Sequence, residues 1–274
     1  MIKHIFSDMD GTLLNQHGKV SAGNKTAIQH AGIPFTLVSA RSPRQMMDAI
    51  ETLKLSAPQI GFNGGVIYQA KDEQLQVIED APVPSQVVKR VVDLVEASFP
   101  ETGISLFGLT SWQVTRMDDG IAFFQEDMPQ KPTVLDQETF WRHPEPIYKI
   151  TFCVLNLDVM NGIVKILQAA ELPGVAMQKS SDIYLDITAS AAKKSRGVNY
   201  IAQREQLDLN ETAAFGDGPN DIPMLKLVGM PIVMANGLPN VKQVARYLTA
   251  DNDHDGVGRG IDQFILGQQT QNLN

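Results

Sequence analysis

His4-Ile-Phe-Ser7 followed by Asp8-Met-Asp-Gly-Thr12 is the stretch on which the fold turns. A short apolar run is stopped by one carboxylate, then a second, then a glycine. That pattern reads as a buried strand entering a tight loop. Polar residues just past the carboxyl end of a strand are where open α/β sheets hold ligands. Gly11 additionally lets the backbone come close to whatever binds there.

The neighbouring residues extend the pattern. Ser21 caps a helix reaching Ala31, and Pro34-Phe-Thr-Leu-Val38 makes a second buried strand ending at Ser39, whose hydroxyl is expected to be exposed. Ser42 and Pro43 form a cap and first turn, and Met46, Met47, Ile50 and Leu53 follow at helical spacing as a core stripe. Gln59-Ile-Gly-Phe62, Asn63-Gly-Gly65 and Val66-Ile-Tyr68 read as strand, turn and returning strand. Strand alternating with helix predicts a parallel sheet with crossover helices.

Near residue 82 the texture changes. Pro82 and Pro84 lead into a helix bearing Val87, Val88, Val91, Val92, Leu94 and Val95. Strands are expected at 104–107, 112–115, 148–155, 175–178 and 183–187, a helix at 159–170, and an irregular stretch at 129–146. The alternation then resumes with a helix at 197–204, strand Thr212-Ala-Ala-Phe215, loop Gly216-Asp-Gly-Pro-Asn-Asp221 and a helix carrying Met224, Leu225 and Leu227. Strand Ile232-Val-Met234, a helix at 239–245, strand Tyr247-Leu-Thr249, a terminal helix to about Leu266 and a frayed tail from Gln268 to Asn274 complete the chain. The expected architecture is α/β: a Rossmann-like parallel-sheet core from residues 1–82 and 188–274, with an α+β cap domain, residues 83–187, inserted in it.

The chain has 274 residues, 43% of them apolar and 20% charged, which excludes wholesale disorder, collagen and coiled coil. Its 23 basic and 31 acidic residues give a net charge of -8, so neither nucleic acid nor an anionic membrane is an expected partner. An anionic substrate would need a local positive site. The single cysteine, Cys153, sits in an apolar strand and can form no internal disulfide. No apolar run reaches the roughly 18 residues of a membrane span, and a carboxylate arrives too early for a signal peptide, so a cytoplasmic protein is expected.

Asp8, Asp10, Asp217 and Asp221 all follow apolar strands and are expected to meet at one sheet edge. Four carboxylates there would repel one another without a cation among them. Oxygen ligands, with no paired histidines or cysteines, favour Mg²⁺ over zinc. Ser39, at a strand end, and Lys193-Lys194, at a helix start, could supply the hydroxyl and the ammonium that hold a phosphoryl group.

These segments in this order resemble the haloacid dehalogenase superfamily, and within it the Cof-type phosphatases with a large C2 (type IIB) cap. Asp8-Met-Asp-Gly-Thr-Leu-Leu14 is similar to the first motif, Ser39-Ala-Arg41 to the second, Lys194 to the third, and Gly216-Asp-Gly-Pro-Asn-Asp221 with Ile222-Pro-Met-Leu225 to the fourth. Val233-Met-Ala-Asn-Gly237 and Asp255-Gly-Val257 are similar to that subfamily's C-terminal run.

The resemblance implies that Asp8 is a nucleophile forming an aspartyl-phosphate and that Asp10 is the general acid and base. It implies Mg²⁺ on an Asp8 carboxylate oxygen, the Asp10 carbonyl and an Asp217 carboxylate oxygen, with Asp221 aligning its waters. Ser39, Lys194, the backbone near Gly11, and Asn220 would hold phosphate, with Arg41 and Asn63 as further substrate contacts. The implied activity is hydrolysis of a small phosphorylated metabolite, a sugar phosphate in the first instance. A phosphomutase-type transfer and a non-catalytic phosphometabolite-binding regulator are the alternatives. Ala40 replaces the usual glycine of the second motif, and in the third, where a lysine is usually followed by glycine, Lys193-Lys194-Ser195-Arg196 leaves two candidates. Counting from Leu185-Asp-Ile187 selects Lys194 of the pair.

Overall fold

The computed structural model describes residues 1–71, 74–126 and 128–267, so the expected frayed tail lies outside the described residues. Packing divides the chain into two compact units. One comprises Met1–Arg41, Met46–Asp80 and the segment from Lys193 onward; the other comprises Ala81–Ala192 together with Ser42–Gln45.

The first unit begins β1 (His4–Ser7), α1 (Ala22–Ala31), β2 (Phe35–Leu37), α2 (Pro43–Leu53), β3 (Gln59–Gly61), β4 (Val66–Lys71) and β5 (Gln74–Asp80). The second unit holds α3 (Ser85–Ser98), β6 (Ser105–Phe107), β7 (Trp112–Val114), α4 (Asp119–Gln125), β8 (Thr133–Val134), α5 (Gln137–Arg142), β9 (Lys149–Cys153), α6 (Leu157–Ala169), β10 (Val175–Lys179) and β11 (Tyr184–Ala189). The first unit resumes with α7 (Lys194–Arg204), β12 (Thr212–Gly216), α8 (Ile222–Leu225), β13 (Met230–Val233), α9 (Pro239–Lys242), β14 (Tyr247–Leu248) and α10 (Gly256–Gly260), which runs on as a π-helix over Ile261–Leu266.

Among the described residues, β14-β13-β12-β1-β2 form a five-stranded sheet whose pairs are all parallel. Side-chain alternation sends successive residues to opposite faces. Phe6, Ala214 and Val233 accordingly pack with Val198 and Ile201 of α7 and Met224 of α8. On the other face Phe215 lies under Gly260 of α10. Helices therefore cover both faces of a parallel sheet, the α/β arrangement expected. β1 has β2 on one side and β12 on the other, so the chain changes direction across the sheet at β1. A crevice at the carboxyl end of β1 follows from that reversal. β3 joins through one parallel bridge, Val38 to Ile60, and leads into the antiparallel β3-β4-β5.

The second unit has a sheet of order β10-β11-β9-β6-β7-β8. One face carries Leu106, Ile150, Phe152, Leu185 and Ile187, packed with Val91 and Val95 of α3 and Met160, Ile163 and Leu167 of α6. The opposite side gathers Phe107, Trp112, Phe124 of α4 and Tyr184 into a ring cluster with centroids 5.6–6.2 Å apart. Cys153 is buried in β9, as its apolar setting implies.

Four elements, β5, α4, β8 and α5, differ from the sequence expectation. The stretch 129–146 contains β8 and α5 rather than irregular chain, and α4 was not anticipated. Both helices are under three turns and owe their starts to aspartate caps, Asp118 to the Ile121 N–H at 2.7 Å and Asp136 to the Thr139 N–H at 3.4 Å. Neither has an apolar period long enough to read. β5 is a polar strand at the end of its sheet. No helix among the described residues is long and apolar enough to cross a membrane.

Candidate active site

The β1 ladder continues one bond past its last residue, with the Asp8 N–H donating to the Phe215 carbonyl at 3.0 Å. Asp8 is thus held at the lip of the sheet, beside the end of β12. From β12 the chain enters the Gly216–Asp221 loop, where Asp221 folds back and accepts the Asp217 and Gly218 N–H groups at 3.0 and 2.9 Å. Asp221 is fully buried. Its charge is met by those two donors and by Lys194, whose ammonium lies 2.7 Å from Asp221 Oδ1 and 2.5 Å from Asp8 Oδ1. Lys194, the first residue of α7, is itself buried, whereas Lys193 is exposed. The structure therefore brings Lys194, and not Lys193, to the acidic edge.

Asp8, Asp217 and Asp221 each offer a carboxylate oxygen within 4.8 Å of the others. Among the described residues this is the one group of His, Cys, Asp or Glu side chains so placed. Three carboxylates against one ammonium leave the cluster short of positive charge. Burial pushes the Asp8 carboxyl well above its usual range, and Asp221 adds to the rise while Lys194 opposes it. Asp217 is also raised, by burial first, against the pull of the Thr12 hydroxyl. Burial alone would lower the Lys194 ammonium, but Asp8 and Asp221 outweigh it and raise it. An all-oxygen set whose acids are strained by mutual repulsion fits a hard divalent cation.

Asp10 corrects the sequence expectation that four carboxylates converge. Its carboxylate instead meets Arg41 side-on, Nε to Oδ2 at 2.9 Å and Nη2 to Oδ1 at 2.6 Å. The turn explains the divergence. Thr12 and Leu14 N–H groups both return to the Met9 carbonyl, and Gly11, just before Thr12, takes φ +74°. A Cβ at Gly11 would stand 2.5 Å from Asp217 Oδ2, so only glycine fits there. The pair raises the Arg41 guanidinium, chiefly through its hydrogen bonds to Asp10.

Ser39 is fully buried, so its hydroxyl is not the exposed group expected; Oγ accepts the Arg41 N–H at 3.1 Å. The Ser39 N–H donates to the Ile60 carbonyl at 2.9 Å, which continues the pairing of β2 with β3 over Ser39 and keeps it inside the sheet. Asn220 donates from Nδ2 to Asn63 Oδ1 at 3.2 Å, which brings these two predicted residues together. Two contributors were not singled out from the sequence. Thr12 Oγ1 donates to Asp217 Oδ1 at 2.7 Å, and Asn236 Nδ2 donates to the Gly11 carbonyl at 2.7 Å. Both lie inside motif segments already quoted, which was the available signal.

A fold with this strand order, carrying its acids at the carboxyl ends of β1 and β12, has known relatives. The family model for haloacid dehalogenase-like hydrolases matches residues 5–261, and the chain belongs to that family. It is 25% identical over 280 residues to a putative phosphatase of Streptococcus pyogenes serotype M6, covering 97% of this chain and 99% of the relative. It is 26% identical over 294 residues to a 5-amino-6-(5-phospho-D-ribitylamino)uracil phosphatase of Bacillus subtilis, covering 97% and 99%. Its fold is similar to the crystal structure of a haloacid dehalogenase-like hydrolase from Bacteroides thetaiotaomicron, with TM-score 0.85 and 21% identity over 96% of this chain and 99% of that one.

Proposed function

We propose that this hydrolase is a Mg²⁺-dependent phosphatase acting on a small phosphorylated metabolite, with a sugar phosphate as the substrate class, through an aspartyl-phosphate on Asp8. The observation that carries the reading is the buried Asp8–Lys194–Asp221 chain of ion pairs beside Asp217. The phosphatase names of the full-length relatives support it, and the phosphorylated ribityl group in one of those names supports the substrate class.

An Asp8 carboxylate oxygen attacks phosphorus, and the bond from phosphorus to the ester oxygen breaks. With its Arg41 pair opened, Asp10 carries a proton and gives it to the departing oxygen. It then takes a proton from water, whose oxygen attacks phosphorus; the phosphorus–Asp8 bond breaks, releasing inorganic phosphate and restoring the carboxylate. Arg41 holds Asp10 as a carboxylate through two guanidinium nitrogens, so this pair opens for the proton transfers and re-forms when they are complete. Lys194 neutralises the Asp8 oxygen it touches; together with the Ser39 hydroxyl and Asn220 it would meet the negative charge of the phosphoryl group. Asp8, Asp217 and the Asp10 carbonyl would hold Mg²⁺, with Asp221 ordering its waters. When bound, the cation supplies charge neutralisation for the carboxylates and the phosphoryl oxygens.

The test is phosphate release from a panel of phosphomonoesters, with Mg²⁺ and with excess chelator. Sugar phosphates should show the highest kcat/KM, and the chelator should abolish turnover. Release from no phosphomonoester, or undiminished release in chelator, would contradict the reading.

A further inference from the structure

Phe62, Asn63 and Gly64 follow one another at φ 49°, 56° and 94°. Glycine takes left-handed backbone freely and asparagine tolerates it, but a bulky residue there is strained. Such a run persists where its surroundings over-determine it, and strain of this kind gathers at functional sites. The surroundings here are the site segments themselves. The Phe62 N–H donates to the Arg41 carbonyl at 2.9 Å and the Asn63 N–H to the Ser39 carbonyl at 2.8 Å. Gly64 lies so close to the residue before Lys194 that a Cβ would stand 2.2 Å from the Lys193 carbonyl oxygen. Arg196 Nη1, in the first turn of α7, donates to the Gly64 carbonyl at 2.8 Å. The fourth tie is a side chain, Asn63 Oδ1 receiving Asn220 Nδ2 at 3.2 Å.

The geometry points to Asn63 as a positioning residue, whose side-chain oxygen aims the Asn220 carboxamide at the phosphoryl group in place of touching substrate itself. This rests on the phosphatase reading above and deepens it. A carboxamide nitrogen has two protons. With one given to Asn63, the orientation of Asn220 is set and the second proton remains for a phosphoryl oxygen. Asn63 therefore acts through Asn220, and removing either should remove the same interaction.

A double-mutant cycle tests this, read as binding of inorganic phosphate by calorimetry in the presence of Mg²⁺, with turnover of p-nitrophenyl phosphate measured beside it. Asn63→Gly keeps the left-handed φ without strain, so its thermal midpoint should stay near that of the wild type, while Asn220→Ala removes the group being aimed. Asn63→Gly should weaken phosphate binding and raise KM by about ten-fold, the equivalent of one charge-assisted hydrogen bond. Asn220→Ala should lose at least as much, and the double variant no more than Asn220→Ala alone. Losses that multiply would mean that Asn63 meets the ligand independently, and the proposal falls. It falls equally if Asn63→Gly binds phosphate as the wild type does, or if the wild type binds none. Phosphate binding without any turnover would sink the phosphatase reading and leave the cycle to decide the role of Asn63.

Discussion

The two units spend their buried volume differently. In the second, nineteen buried hydrophobic residues among those described form one cluster, and the other face of its sheet adds stacked and edge-on rings. In the first, the end of β1 buries Asp8, Asp221 and Lys194 within hydrogen-bonding reach of one another. Apolar burial is stabilising in proportion to area, whereas buried ion pairs often stabilise less than hydrocarbon of equal volume. The second unit's core therefore reads as folding energy, and the first unit's acidic edge as a site kept at some expense to stability.

Breaking the acidic edge should produce the largest effects on turnover. Asp8→Asn should reduce phosphate release to background in a folded protein, since an amide is a poor nucleophile of nearly the same shape. Near wild-type kcat would remove Asp8 from its proposed role. Lys194→Ala comes next, with a large fall in kcat/KM and a loss of about 3–5 kcal/mol in chemical denaturation, because Asp221 is left buried with its ammonium gone. Lys193→Ala should be close to silent in both, and the reverse ranking would contradict the placement of Lys194.

Smaller changes sharpen the contrast between units. Ile163→Val in the second unit's core should cost about 1 kcal/mol of stability and leave kcat unchanged. Asp217→Asn should do the opposite: weaken Mg²⁺ binding yet slightly raise the thermal midpoint of the metal-free protein. Burial and Asp221 raise the Asp217 carboxyl, so its ionised form is disfavoured in the fold, and a neutral isostere relieves that while still accepting from Thr12. A lower midpoint for Asp217→Asn would show that the acids stabilise the metal-free fold after all.

The acidic edge was legible because its residues sit at fixed offsets from apolar strands, so that Asp8 and Asp217 follow β1 and β12 directly. The convergence of Asp10 was misread because side-chain direction depends on the turn around Gly11 and on Arg41, thirty-one positions away. The burial of Ser39 was hidden because β3, which pairs alongside it through Ile60, lies twenty-one positions further along the chain. Periodicity showed α3 and α6, each thirteen residues or longer, while α4 and α5 depend on single aspartate caps that no period announces.

The central claim is that Asp8 carries the phosphoryl group between two displacements. It is tested most directly in Asp10→Asn, where loss of the acid and base should slow kcat by about 10² to 10⁴ and hold back hydrolysis of the intermediate. The variant is mixed with an activated phosphomonoester and Mg²⁺, quenched in acid and digested for mass spectrometry. The account predicts a phosphoryl group on the peptide containing Asp8, absent when Asp8 is also changed to Asn. Continued turnover by Asp10→Asn with no phosphorylated Asp8 peptide at any time before completion would contradict it.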